Sequence, residues 1–273
     1  MTETHDILSI IVLGSNGMLG SMIKCVGLRR NKKIIPIARN EFDVMRDDIE
    51  TLSRYTTTNC CIINCIGAIP QKSYSEKEYT SINVDFPRAL SSFCKNRGIP
   101  LFYMSTNCVF SGNKEFCIES DIHDATDIYG FTKYKGEPEY GIVIRSTIIG
   151  LEHYTKCGLF EWFCKNTSNE ISGYADHFWN GVTTLELSNI IYDMIDNNEF
   201  DTKIRHIYSE LTVSKYDLIL MIKRIFRKEI KVNPVSIGTK HYTLKSLYTT
   251  PSKSIELQLY DLHDIAPLFY SDS

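Results

Sequence analysis

Apolar positions in the first half of the chain come in short continuous runs, separated by stretches with helical spacing. Residues 7–13 form a β-branched run that ends at a glycine-rich turn, and 18–28 then reads as a helix. Strands are expected at 33–38, 60–66, 101–105 and 142–148, and helices at 47–55, 79–96 and 129–137. Such alternation implies a parallel sheet with helices on both faces. The runs show little period-two alternation, which suits strands buried on both sides. After about residue 150 the alternation weakens, although a helix over 184–195 and a strand over 204–208 would return to the sheet. The expected fold class is α/β: a doubly wound parallel sheet with a smaller C-terminal lobe closing over the carboxyl edge, where open sheets bind ligands. Residues 1–150, rejoined by 182–210, would form the sheet domain; 151–181 and 211–273 would form the lobe.

Composition narrows the function classes. The 273 residues carry a formal charge of −3, so the chain as a whole does not attract phosphate backbones. Basic runs such as 29–33 and 223–224 read as solvated helix faces, and zinc-finger spacing is absent, so no nucleic-acid partner is expected. No apolar run reaches membrane-span length, and residues 1–6 lack the basic and apolar regions of a signal peptide. The nine cysteines are odd in number and scattered, several within apolar runs, which fits reduced thiols in a cytoplasmic protein. No CxxC or paired-histidine cluster points to a metal.

The candidate chemistry begins at Gly14-Ser15-Asn16-Gly17-Met18-Leu19-Gly20, between the first strand and the first helix. Glycines there permit a tight turn and the close approach of a pyrophosphate, and the helix N-terminus offers free N–H groups. A dinucleotide cofactor is therefore expected. The second strand ends in Ala38-Arg39-Asn40. An acid at that point would hold an NAD ribose, whereas Arg39 suits a 2′-phosphate, so NADP(H) is favoured over NAD(H). Glu41 lies close enough to keep the question open.

Tyr129 and Lys133 stand four residues apart, on one face of a helix. Tyrosine has a reference pKa of about 10, and a neighbouring ammonium stabilises its phenolate. The pair therefore suits proton donation to a carbonyl oxygen as hydride reaches its carbon. Thr106, with Ser105 beside it at the end of the strand at 101–105, could bind the same oxygen.

The motifs Gly14-x-x-Gly17-x-x-Gly20, Ser105-Thr106-Asn-Cys-Val-Phe-Ser-Gly112 and Tyr129-Gly-x-x-Lys133-x-x-Gly-Glu137 resemble the extended short-chain dehydrogenases/reductases. Within them the chain is most similar to the dTDP-4-dehydrorhamnose reductase-like branch of nucleotide-sugar 4-ketoreductases. Residues 144–150, 181–187, 214–218 and 251–254 continue the likeness. The resemblance implies a Rossmann-type fold with a substrate-binding lobe and a Thr106, Tyr129, Lys133 triad. It implies that Asn64, Cys65, Ile66, Gly67 and Ala68 pass beside the cofactor, and that Asn83 holds the site's backbone. Trp179 and Asn180 would line a nucleotide-sugar pocket, and Arg145 would meet substrate phosphate or brace a loop. The implied substrate is a UDP- or dTDP-linked 4-keto-6-deoxy sugar, with a UDP-linked 2-acetamido-2,6-dideoxy-4-keto-L-hexose as the first choice, and a homodimer is one assembly left open.

Two departures are visible: the family's frequent Asp after the threonine is Asn107, and its usual Arg-Pro near the carboxyl end is Thr250-Pro251. Two rival readings stay open. Cys108, with Lys165 or Lys156, could add 3,5-epimerase chemistry. Alternatively, the chain could bind NADP as a non-catalytic regulatory subunit.

Overall fold

In the computed structural model, which describes residue 7 and residues 9–271, the chain alternates as its pattern predicts. The expectations for residues 1–6 and for residue 8 of the first strand lie outside the described residues. The first half runs β1 (Ser9–Leu13), α1 (Met18–Arg29), β2 (Ile34–Ile37), β3 (Cys60–Asn64), α2 (Glu76–Thr80), α3 (Phe86–Arg97), β4 (Leu101–Met104), α4 (Ile128–Lys135) and β5 (Ile142–Arg145). The second half runs β6 (Ile148–Ile149), α5 (Leu159–Lys165), β7 (Glu170–Tyr174), β8 (His177–Trp179), β9 (Val182–Thr183), α6 (Thr184–Asp196), β10 (Ile204–His206), β11 (Val213–Ser214), α7 (Lys215–Ile225), β12 (Lys231–Val235), β13 (Lys240–Tyr242) and α8 (Ile255–Ser271).

Six strands form one parallel sheet in the order β2-β1-β3-β4-β5-β10. Both faces are apolar, as the unbroken runs require. Ile10, Val12, Cys61, Ile63, Phe102 and Ile144 pack under α1 and α6 in one core. Ile11, Leu13, Cys60, Ile62 and Leu101 pack under α3 in the other. The order reverses between β1 and β3, and the crevice outside their carboxyl ends is where such sheets take ligands. The segment 182–210 returns as expected: Tyr192 on α6 donates to the Ile23 carbonyl of α1 at 2.8 Å, and β10 pairs with β5.

Three expectations need correction. Residues 47–55 hold a 3₁₀ turn, Ile49–Arg54, rather than an α-helix. Only Leu52 is buried there, so no apolar stripe rewards a longer helix. The strand expected over 142–148 divides, β5 staying in the sheet while β6 pairs with β9. The long helix begins at Glu76, where Ser75 and Glu78 form a capping box, and it widens into a π turn at Ser81–Asp85. Pro87 explains the widening: it has no N–H, and its ring would crowd the carbonyl of Asn83 four residues earlier.

Beyond the sheet, β11, β8 and β13 form a three-stranded sheet, and β12 pairs with β7. These elements stand at the carboxyl edge of the main sheet, beside the loops that follow β4 and β5. No helix among the described residues is long and apolar enough to cross a membrane.

Candidate active site

The glycine-rich turn sits at the switch point. Gly14 has φ +74°, a conformation that favours glycine. A Cβ on Gly20 would lie 2.3 Å from the Gly14 carbonyl oxygen, so the third glycine is required by close packing. Gly17 caps α1 without a side-chain hydrogen bond, and no acid lies in the first turn. The helix thus presents free N–H groups and the positive end of its dipole to the crevice. Gly17, Met18 and Leu19 line the cavity there; Gly14, Ser15 and Gly20 shape the turn from behind, and Asn16 is exposed.

The cavity has a volume of about 610 Å³ and runs continuously from this turn to the lobe. Cys65, Ile66 and Gly67 line it where β3 ends. Asn64 lies behind them, accepting the Ile66 N–H at 3.0 Å, while its amide nitrogen is buried without a partner. Ala68 is fully buried. Asn83 accepts the Ala68 N–H at 2.9 Å and donates to the Ala68 carbonyl and to Thr132 at 3.1 Å each. Asn83 and Ala68 therefore act behind the cavity wall, as braces rather than as its lining.

Tyr129 and Lys133 both line the middle of the cavity, one turn apart on α4. Asp127 caps this helix through the Gly130 N–H at 2.7 Å. A Cβ on Gly130 would lie 2.0 Å from the Cys108 carbonyl, so glycine lets α4 pack against the 106–110 loop. Burial raises the Tyr129 phenol above its ordinary pKa, an effect that the hydrogen-bonding Thr106 hydroxyl opposes. Burial lowers the Lys133 ammonium to about 8, while Glu137 pulls the other way. Lys133 donates to the Met104 carbonyl at 2.5 Å, which fixes its head at the end of β4.

Ser105, Thr106, Asn107 and Cys108 all face the cavity. The Thr106 hydroxyl accepts the Cys108 N–H at 3.1 Å, and its own proton meets Asn107 only at 3.4 Å, leaving it able to turn toward a ligand. Ser105 is committed: it donates to Glu137 at 2.6 Å. Asn107 spends its amide nitrogen on the Tyr242 carbonyl at 3.1 Å, tying the β4 loop to β13. The Cys108 thiol is pushed up by burial, against the pull of Thr106.

Arg145, for which a phosphate contact and a brace were both open, and Asn180, expected to line the pocket, are each held by the protein's own groups. Arg145 is fully buried and grips Glu137 through two bonds, at 2.8 and 2.6 Å, with further bonds to His123 and the Glu119 carbonyl. Its guanidinium has no face left for a phosphate. Asn180 donates to the Leu244 carbonyl at 2.8 Å and accepts the Leu244 N–H at 2.9 Å, holding the carboxyl-terminal segment as a strand would. Trp179 does reach the cavity, with its indole N–H on Thr147 at 3.1 Å. Arg39 lies outside the cavity, with its side chain 69% exposed and paired with Asp43 at 3.2 Å.

Sequence reasoning missed Lys215, Lys240 and Tyr242, which line the lobe end. The capping box Ser214–Asp217 was a signal that Lys215 opens a helix. Nothing local indicated that the three short strands β11, β8 and β13 would bring it beside Cys108.

A glycine turn at the switch point of a doubly wound sheet, with Tyr129 and Lys133 over the same crevice, defines a Rossmann-type protein of the extended short-chain dehydrogenase/reductase class. More narrowly, the chain belongs to the family described as the RmlD substrate binding domain, whose model matches residues 8–245. It is similar to a dTDP-4-keto-6-deoxy-D-glucose reductase of Streptomyces niveus, 26% identical over 149 residues covering 50% of this chain and 51% of the relative. A dTDP-4-dehydrorhamnose reductase of Sinorhizobium fredii is 27% identical over 132 residues, covering 47% and 44%. The chain spans about half the length of the curated relatives it matches. Among solved structures, a dTDP-4-dehydrorhamnose reductase of Clostridium acetobutylicum superposes with a TM-score of 0.82 at 21% identity, covering 95% of this chain and 99% of that one. The Bacillus anthracis enzyme of the same name, in complex with NADP, gives 0.82 at 19% identity, covering 93% and 98%.

Proposed function

We propose that this chain is an NADP(H)-dependent reductase of the C4 ketone of a nucleotide-linked 4-keto-6-deoxy sugar. The observation that carries the reading is one continuous cavity lined by the α1 N-terminus, by Tyr129 and Lys133, and by Thr106. The relatives named as reductases of dTDP-linked keto sugars, and the neighbour bound to NADP, support the same chemistry.

The free N–H groups of α1 would hold the cofactor pyrophosphate, and Cys65–Gly67 would flank the nicotinamide half. Glu41 is turned inward onto the Ala38 N–H at 2.8 Å, so the ribose 2′-position is left to Arg39, a preference for NADP(H). The cofactor supplies the hydride. Tyr129, protonated at neutral pH and held so more firmly by burial, gives its proton to the C4 oxygen. Thr106 steadies that oxygen, and the Lys133 cation stabilises the phenolate left behind. The lobe formed by 151–181 and 211–273 would take the sugar nucleotide, with Trp179 as one wall.

Within this class the proposed substrate is a UDP-linked 2-acetamido-2,6-dideoxy-4-keto-L-hexose, giving a UDP-L-rhamnosamine-type product; dTDP- or UDP-4-keto-rhamnose is the alternative. Of the groups considered for epimerisation, Cys108 lines the cavity, whereas Lys165 pairs with Glu161 at 3.5 Å and neither it nor Lys156 lines it, which favours the reductase reading. The decisive assay is NADPH oxidation against freshly made UDP- and dTDP-linked 4-keto-6-deoxy sugars, with and without a 2-acetamido group. Turnover of one of them is expected; no turnover of any, by protein that binds NADPH, would overturn the reading.

A further inference from the structure

The cavity is cationic although the chain is not. Lys72, Lys133, Lys215 and Lys240 line it, against Asp127 and Glu152. Both carboxylates are already committed to backbone N–H groups, Asp127 to Gly130 at 2.7 Å and Glu152 to Gly158 at 2.6 Å. Lys133 is held by Met104, and Lys240 donates to Asn113 at 2.9 Å and to the Ser111 carbonyl at 3.3 Å.

Lys72 is exposed, and Lys215 differs from all three. It opens α7, where the Ser214–Asp217 capping box fixes its backbone. Pairing of β11 with β8, and of β8 with β13, sets it beside Tyr242. Its ammonium lies 5.3 Å from the centroid of the Tyr242 ring. Among the described residues, no carboxylate or carbonyl meets it. A half-buried ammonium on an aromatic wall, facing the cavity and without an anion, is placed to meet an anionic group of a ligand.

We infer that Lys215 takes an anionic oxygen of the substrate, and that this oxygen belongs to the diphosphate linking nucleoside to sugar. The inference deepens the proposed function and rests on it. A carboxylate on the sugar ring would offer the same kind of oxygen, so the test separates the two sources.

The full chain, loaded with NADP, is titrated calorimetrically with UDP, dTDP, uridine, UDP-glucose and UDP-glucuronate. Lys215→Met should weaken the preferred nucleoside diphosphate about 10- to 100-fold, the usual worth of a charge-assisted hydrogen bond. Uridine affinity, NADP affinity and melting temperature should hold, and Lys215→Arg should keep most of the diphosphate affinity. Equal diphosphate binding by wild type and Lys215→Met overturns the inference, while turnover of a keto sugar would leave the proposed function standing. A loss confined to UDP-glucuronate overturns the diphosphate assignment in favour of a ring carboxylate. Wild-type protein that binds NADP but no nucleoside diphosphate overturns this inference and the nucleotide-sugar reading together.

Discussion

Replacing Arg145 with methionine separates the two roles its sequence position allowed, a phosphate contact and a brace. The guanidinium is fully buried and meets Glu137 in a bidentate pair, Nε to Oε1 at 2.8 Å and Nη2 to Oε2 at 2.6 Å. Methionine keeps much of the volume but strands the Glu137 carboxylate, whose remaining donor is Ser105 at 2.6 Å. Removing one partner of a buried ion pair costs about 3–5 kcal/mol. In a domain of this size each kcal/mol shifts the melting temperature by about 2–4 °C, so a fall of roughly 6–20 °C is expected. The loss should shrink in the Arg145→Met/Glu137→Leu double variant, which removes the stranded charge. Thermal unfolding followed by circular dichroism measures this, alongside KM for the best keto-sugar substrate. If Arg145→Met melts within about 2 °C of wild type, less than a single kcal/mol would produce, and raises KM tenfold or more, the guanidinium serves the substrate and the bracing account is wrong.

Two further outcomes follow from the cofactor end and from Lys133. Arg39→Ala should weaken NADPH about 10- to 100-fold, the worth of one charge-assisted pair, and leave NADH nearly unchanged; equal losses in fluorescence titrations of the two would contradict the 2′-phosphate role. Burial holds Lys133 at about 8, so it is charged below that pH and neutral above it. Turnover at saturating NADPH should therefore fall as pH rises through about 8, and a pH–rate profile flat to 9.5 would show that the cation is dispensable.

The main sheet was legible because its central strands β1, β3, β4 and β5 are mostly apolar runs buried on two faces, a pattern that needs no knowledge of distant residues. The glycine turn and the Tyr129–Lys133 pair were legible because their geometry is local: one turn, one helix face. Expectation failed where a residue's partner lies far along the chain. Asn180 looked like a pocket residue until Leu244, 64 positions away, claimed both of its polar atoms. Arg145 was ambiguous because Glu137, His123 and Glu119 gather around it from separate loops. The place of Lys215 in the cavity was invisible for the same reason, since strands of two and three residues leave no periodic signal. Residues 47–55 carried helix-forming residues but buried only Leu52, and packing, more than propensity, decides whether a short segment becomes an α-helix.

The central claim is that Tyr129 gives the proton while the cofactor gives the hydride. Single-turnover oxidation of bound NADPH by Tyr129→Phe, on the substrate found in the panel, tests it most directly, because the ring is kept and only the hydroxyl is lost. The hydride step should slow about 10²- to 10⁴-fold, the usual worth of general acid catalysis. The NADPH dissociation constant should barely move, since the phenol acts mainly in the transition state. A variant that keeps more than about a tenth of the wild-type rate, well short of that loss, would contradict the account and give the proton to another group.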